Sequence, residues 1–218
     1  MTDEFCVTVA GVTAGYDGGP TVLDRLDLTA PAGGITAILG PNGVGKTTLL
    51  NVILGWHPPE AGGVALFGRD LATLSRDEAG RTVALVPQDE HIPFEYSLVD
   101  YVLLGRTPHL NALAVPGDED RRRALEALER VGLDGRAHCA VTETSGGEKQ
   151  LVMIARSLCQ DTPLLVLDEP AAHLDLANRR RLVDLITELR DVHHRSVVFT
   201  THDPDLAAVA ADEIILLR

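Results

Sequence analysis

The sequence predicts an α/β fold: a wound, mainly parallel core sheet with an N-terminal antiparallel β lobe and an inserted helical lobe. Three observations carry this. Five short, nearly continuous apolar runs, ITAILG (35–40), TVALVP (82–87), LLVLDEP (164–170), SVVFTTH (196–202) and EIILL (213–217), have the pattern of strands covered on both faces. Helical patterns lie among them: Leu151, Ile154, Ala155 and Leu158, then Leu182, Leu185, Ile186 and Leu189, each recur at i, i+3, i+4 and i+7 and form one apolar stripe. Strands alternating with helices give a parallel sheet. Between about 97 and 143 no strand pattern occurs, which predicts a helical lobe inserted between two strands of the main sheet.

Taken in order, the alternating apolar residues of FCVTV (Phe5 to Val9) and LDLTA (Leu26 to Ala30) predict half-buried, antiparallel strands. ITAIL then runs into GPNGVGKTT and the helical segment TTLLNVILG. The lobe begins with SLVDYVLLG, breaks at VPGDED, and continues as DRRRALEALERVGL, where Leu125, Leu128 and Val131 are helically spaced behind an acidic helix start.

A chain of 218 residues predicts one domain, 1–218, with two lobes. The hydrophobic fraction of 45% and charged fraction of 23% are those of an ordinary globular protein. No apolar run approaches the ~18 residues of a membrane span, and the acidic start MTDEF lacks the features of a secretory signal, so a cytoplasmic location is expected. A net charge of −13 opposes a broad nucleic-acid surface, and no nucleic-acid partner is expected. Cys6, Cys139 and Cys159 have neither metal-ligand nor disulfide spacing and read as free thiols. Only Lys46 and Lys149 among the 19 basic residues are lysine, which singles out Lys46 as a place where a compact ammonium is wanted.

Gly40 to Thr47 satisfy G-x-x-x-x-G-K-[ST] between a buried strand and a helix. In such a loop glycines let backbone N–H groups turn around phosphate oxygens, Lys46 reaches the β- and γ-phosphates, and Thr47 offers a hydroxyl to Mg²⁺. Asp168 and Glu169 end a buried strand, where a doubly wound sheet presents its ligand crevice. Asp168 is expected to hold hydrated magnesium and Glu169 to polarise the attacking water. His202 follows another strand end, within reach of a terminal phosphate or its water. Gln88, in LVPQD, is placed to ligate Mg²⁺ or sense the γ-phosphate.

In order, GPNGVGKT, VPQ, SGGE, LVLDEP, HLD and THD resemble the nucleotide-binding subunits of ABC transporters over nearly the whole chain. The resemblance implies a P-loop NTPase fold of ABC type, with ATP and Mg²⁺ as ligands. It implies that Tyr16 stacks on adenine and that Gly40, Pro41, Asn42, Gly43, Val44, Gly45, Lys46, Thr47 and Thr48 cradle the phosphates. Ser145, Gly146, Gly147 and Glu148 correspond to the family's signature, which meets the nucleotide of a second subunit across a head-to-tail dimer; Thr144 stands where leucine is usual. Asp175 corresponds to the loop crossing between the two sites, preceded here by Ala171 and Ala172. The helical lobe, about 97–143 and extending into 144–160, is then the part nearest the membrane partner.

SLVDYVLLGRTPHL, above all Gly105 to Leu110, resembles importer subunits serving iron–siderophore, haem and cobalamin permeases; zinc and manganese importers have related segments. The implied partners are a second ATPase subunit, expected to be an identical copy, transmembrane permease subunits and, indirectly, a solute-binding protein. The implied location is the inner face of the cell membrane. A soluble ABC ATPase is the rival reading, but the sequence shows no long coiled-coil insertion, zinc cysteines, tandem domains or basic face.

Overall fold

The computed structural model describes residues 4–16, 18–111, 114–172 and 174–218. Its first sheet has four strands in the order β2-β1-β4-β5, all antiparallel: β1 (Phe5–Gly15), β2 (Thr21–Pro31), β4 (Ala61–Leu66) and β5 (Arg69–Asp70). The second has five parallel strands in the order β6-β7-β8-β3-β9: β6 (Val83–Val86), β7 (Leu164–Leu167), β8 (Ser196–Thr201), β3 (Ile35–Leu39) and β9 (Glu213–Leu216).

Period-two alternation sorts the parallel strands' side chains into two cores. Val83, Leu164, Val166, Val198 and Ile38 face α1 (Lys46–Ile53) and the antiparallel sheet. Ala84, Val86, Leu165, Leu167, Val197 and Phe199 face the helical side. That side is built from α3 (Leu98–Leu103), α4 (Asp118–Arg130), α5 (Gly146–Cys159), α6 (Leu176–Asp191) and α7 (Pro204–Ala210), while the short α2 (Arg76–Thr82) precedes β6. All eight residues of the two sequence stripes on α5 and α6 are buried.

The helical lobe lies between β6 and β7, as expected. GRTPHL, read as a mark of importer subunits, acts here as packing. A Cβ on Gly105 would stand 2.3 Å from the Arg156 carbonyl, so α5 approaches as closely as it does only against glycine. Arg106, 7% exposed, pairs with Asp120 at 2.9 Å and donates to the Cys159 carbonyl, joining the turn to α4 and α5.

Two details differ from the expectations. In α4 the buried face is Ala124, Ala127 and Leu128, and Leu125 is 39% exposed; small residues let α4 sit close to α3 and α5, and the larger leucine is turned outward. EIILL was expected to be covered on both faces, yet β9 is an edge strand paired only to β3, with Ile214 44% and Leu216 68% exposed. Cys6 and Cys159 are buried free thiols, and the free Cys139 is only half-buried. Among the described residues no helix is long and apolar enough to cross a membrane.

Candidate nucleotide site

Parallel register decides where the motifs meet. Val86 pairs with Leu167, Leu167 with Phe199, and Leu39 with Thr201, so the strands end together. The ladder runs one step further: Asp168 N donates to the Val86 carbonyl at 2.9 Å, and Gly40 N to the Thr201 carbonyl at 3.1 Å. Gln88, Asp168, Glu169, His202 and the Gly40 loop thus emerge at one edge of one sheet, where open α/β sheets bind ligands.

The loop needs its glycines. Gly43 and Gly45 have φ of 82° and 104°, which L side chains rarely adopt. A Cβ on Gly40 would lie 2.6 Å from the Leu217 carbonyl, and one on Gly45 would lie 2.9 Å from Val22. Pro41, Asn42 and Gly43 are exposed along the loop and Val44 is half-buried. Lys46 is buried, and its Nζ donates to the carbonyls of Gly40 (2.7 Å) and Pro41 (3.1 Å). The loop therefore closes on its own lysine, which already stands inside the ring.

The buried Glu169 carboxylate completes that arrangement. Its Oε1 lies 3.1 Å from Lys46 Nζ without hydrogen-bond geometry, and its Oε2 is 2.9 Å from His202 Nδ1. Oε1 is thus a buried acceptor held by charge alone. Glu169 has a φ of 45°, in the left-handed region that costs a bulky residue ~1–3 kcal/mol. Thr200, fully buried, holds it there: its Oγ1 accepts from Glu169 N at 2.9 Å and donates to Asp168 Oδ1 at 2.6 Å. Sequence reasoning passed over Thr200, which lies two positions before His202 in SVVFTT and carries no local signal that separates it from Thr201 beside it.

Thr47 Oγ1 donates to Asp168 Oδ2 at 2.9 Å. A hydroxyl and a carboxylate side by side are the oxygen donors magnesium prefers, with phosphates supplying others. Among the described residues there is no cluster of three or more His, Cys, Asp or Glu that could hold a metal ion. Gln88 is exposed and lines, with Thr47 and Asp168, a cavity of about 540 Å³. Tyr16 is half exposed; its hydroxyl is 3.3 Å from Thr48 Oγ1, and its ring stands 4.9 Å from that of His57. His57 Nε2 in turn lies 2.8 Å from the Gly15 carbonyl oxygen, a buttress the sequence did not reveal.

The model of this family known as ABC transporter matches residues 23–172. The chain belongs to the ABC transporter family. As an ABC cassette it is 38% identical over 198 residues, 90% of its own length and 78% of the relative's, to the probable iron chelatin transport ATP-binding protein of Helicobacter pylori. It is 39% identical over 199 residues, covering 91% of this chain and 50% of the other, to a cobalamin import ATP-binding protein of Halobacterium salinarum. A bacterial ABC transporter cassette solved as a dimer superposes with a TM-score of 0.87 at 30% identity, covering 97% of this chain and 94% of that one. The same cassette is solved in a post-hydrolysis state bound to ADP and phosphate, with a TM-score of 0.86. The fold is that of the ABC ATPases, and the chain is an ATP-binding, ATP-hydrolysing transport subunit.

Not all expected nucleotide residues gather at the P-loop of this cassette. Ser145 and Gly146 are exposed at the start of α5, with Gly147 half-buried behind them. Ser145 and Glu148 form a capping box: Glu148 Oε2 accepts from Ser145 N (2.9 Å) and Oγ (3.0 Å), and Glu148 N donates back to Ser145 Oγ (3.3 Å). Arg136 closes an ion pair on the same carboxylate. Hydrogen bonds from Ser145 and this guanidinium pull the Glu148 carboxyl down to about 2. The Glu148 carboxylate is engaged in the cap, its charge offset by Arg136. Thr144 donates to the Val141 carbonyl at 2.6 Å, closing the preceding turn. Asp175 is exposed and caps α6, accepting from Asn178 N at 2.8 Å. His173, in the HLD motif, lies outside the described residues.

Proposed function

We propose that this cassette binds Mg·ATP at the Gly40–Thr48 loop, closes on a second copy around two nucleotides, and drives a permease importing an iron–siderophore, haem or cobalamin-type metal complex. The observation that carries the site assignment is the buried Lys46–Glu169–His202 contact set beside the Thr47–Asp168 pair. Lys46 exchanges its loop carbonyls for the β- and γ-phosphates. Tyr16 offers its ring to adenine, a contact worth ~1 kcal/mol or more. Thr47, Asp168 and Gln88 would hold a magnesium ion, which would supply neutralisation of phosphate charge.

Glu169 Oε accepts a proton as water attacks the terminal phosphate, a contribution of ~10²–10⁴-fold from a positioned base. His202 keeps the carboxylate oriented through Nδ1 and turns its other nitrogen to the phosphate. Ser145, Gly146 and Gly147, at the start of a 14-residue helix, meet the γ-phosphate bound to the partner, and Asp175 lies on the crossing loop. The partner permease docks at a cavity of about 1020 Å³ that adjoins the Gln88 cavity, with Trp56 (67% exposed) and Leu104 (43%) on its rim, placing the protein on the inner face of the membrane. A solute-binding protein acts further upstream. The cargo class rests on the iron chelatin and cobalamin relatives.

Glu169→Gln is expected to give an ATP-stabilised dimer with little turnover, and normal hydrolysis by that variant would remove Glu169 from its role. Ser145→Arg should abolish cooperative hydrolysis and leave ATP binding by the monomer intact. For the cargo, cells carrying Lys46→Ala should lose uptake of a labelled ferric siderophore or of cobalamin. Unchanged uptake of both, with manganese uptake lost, would refute the metal-complex assignment.

A further inference from the structure

Gln88 leads into a connection, residues 87–96, that has no regular structure and joins β6 to the helical lobe. Its two acids turn onto one helix. Asp89 pairs with Lys149 at 2.8 Å, and Glu90 pairs with Arg156 at 2.8 Å. Lys149 and Arg156 are seven residues apart on α5, two turns or about 10 Å along its axis. Glu90 has a second anchor, since the Tyr101 hydroxyl of α3 donates to it at 3.0 Å. The Arg156 guanidinium also lies 5.0 Å from the centre of the Tyr101 ring. Burial, more than any charge, pushes the Tyr101 hydroxyl's pKa upward, so it stays a donor.

Such a clasp exceeds what tethering a loop requires. Exposed ion pairs contribute little, but here a half-buried carboxylate is held by a cation and a buried phenol from two different helices. Gly105 lets the lobe's turn pack against the Arg156 carbonyl, so the same turn of α5 is also held at its main chain. Displacing Gln88 therefore carries α5 with it, and the first residues of α5 are the SGG signature.

We propose that Glu90 is a positioning residue: through Arg156 and Tyr101 it makes the Gln88 segment and α5 move together, so nucleotide at this subunit's P-loop sets Ser145–Gly147 for the partner's nucleotide. The inference rests on the reading of Gln88 and the signature given above. It makes the two sites of a dimer communicate through each chain's own helix.

The test compares ATP-driven dimerisation with ATP binding by the monomer. Dimerisation is followed by light scattering in the full chain carrying Glu169→Gln, and monomer affinity with a fluorescent ATP analogue in the chain carrying Ser145→Arg. Glu90→Gln is expected to leave monomer affinity within about twofold while raising the ATP needed for half-maximal dimer by roughly 2- to 30-fold, the span of measured coupling effects. Arg156→Met should do the same, and the double variant should be no worse than the worse single one. Tyr101→Phe, which keeps the ring and removes only the hydroxyl, should shift dimerisation in the same direction and guards against misfolding of the charge variants. Wild-type ATP dependence in both Glu90→Gln and Tyr101→Phe would overturn the proposal, as would an equal loss of monomer affinity. If the Glu169→Gln parent itself fails to dimerise, the dimer reading falls and takes this one with it; if the parent dimerises and Glu90→Gln matches it, this inference falls alone.

Discussion

Thr200→Val isolates the residue on which the carboxylate geometry depends. Valine keeps the shape and the β-branch, so no cavity is created, and only the hydroxyl is lost. That hydroxyl makes two buried bonds, from Glu169 N at 2.9 Å and to Asp168 Oδ1 at 2.6 Å. An unpaired buried N–H costs about 1–3 kcal/mol, and a hydrogen bond to a charged group contributes about 1.5–3 kcal/mol. The two share one group, which sets the expected loss at ~2–4 kcal/mol. For a chain of this size that lowers Tm by ~4–16 °C. The backbone of Glu169, held at φ 45°, is then free to relax toward a commoner conformation, moving its carboxylate from His202. Thermal melts without nucleotide and steady-state ATPase kinetics read both effects: Tm falls by that amount, and kcat drops more than tenfold while KM changes little. A variant melting within about 2 °C of wild type with normal kcat would refute the claim that Thr200 holds the catalytic turn.

Other substitutions test the remaining contacts. Tyr16→Ala should raise KM for ATP several-fold with kcat nearly unchanged, and His57→Ala should do so more weakly by loosening the ring that backs Tyr16, as steady-state kinetics would report. The Glu148 carboxyl, ordinarily near 4.3 when unfolded, is depressed to about 2, so its capping contribution is complete above about pH 4.3 and is lost as pH falls toward 2. The Tm difference between wild type and Glu148→Ala should accordingly be constant from pH 7 to about 4.5 and shrink below it. Burial raises the Cys6 thiol to about 11 and the Cys159 thiol to about 12, so iodoacetamide at pH 8 should label Cys139 first, as peptide mapping would show.

The parts of this fold legible in the sequence were those written in local periodicity or in contiguous motifs. The apolar strand runs and the stripes on α5 and α6 needed only spacing, and Gly40–Thr47 needed only a strand before and a helix after. Parallel register then brought the ends of four strands together without further information. Long-range partners were not legible. Nothing in GWHPP pairs His57 with a tyrosine 41 positions earlier, and nothing in GRAHC announces that Arg136 balances Glu148. Glu90, Arg156 and Tyr101 come from three elements, and each looks like an ordinary polar or amphipathic residue of its own segment. Leu125 misled because hydrophobicity alone ranks leucine above alanine, whereas close helix packing in α4 favours Ala124 and Ala127. The exposure of β9 was hidden because an edge strand can carry the same apolar letters as a central one.

The bonds around Lys46 also bear on how ATP arrival prepares hydrolysis. Two loop carbonyls and one carboxylate oxygen hold its ammonium, so the lysine is already desolvated and in place, and binding exchanges partners instead of ordering a free side chain. Phosphates compete for the same ammonium, and on the proposed reading they draw it from Glu169 Oε1. That oxygen has no hydrogen bond, so losing the lysine's charge leaves a buried carboxylate lone pair with nothing to accept from except a water. Oε2 remains on His202 and the main chain remains on Thr200, so the carboxylate cannot follow the lysine. On that reading Lys46 screens the Glu169 carboxylate while the loop is empty, and phosphate binding leaves Oε1 to accept from a water.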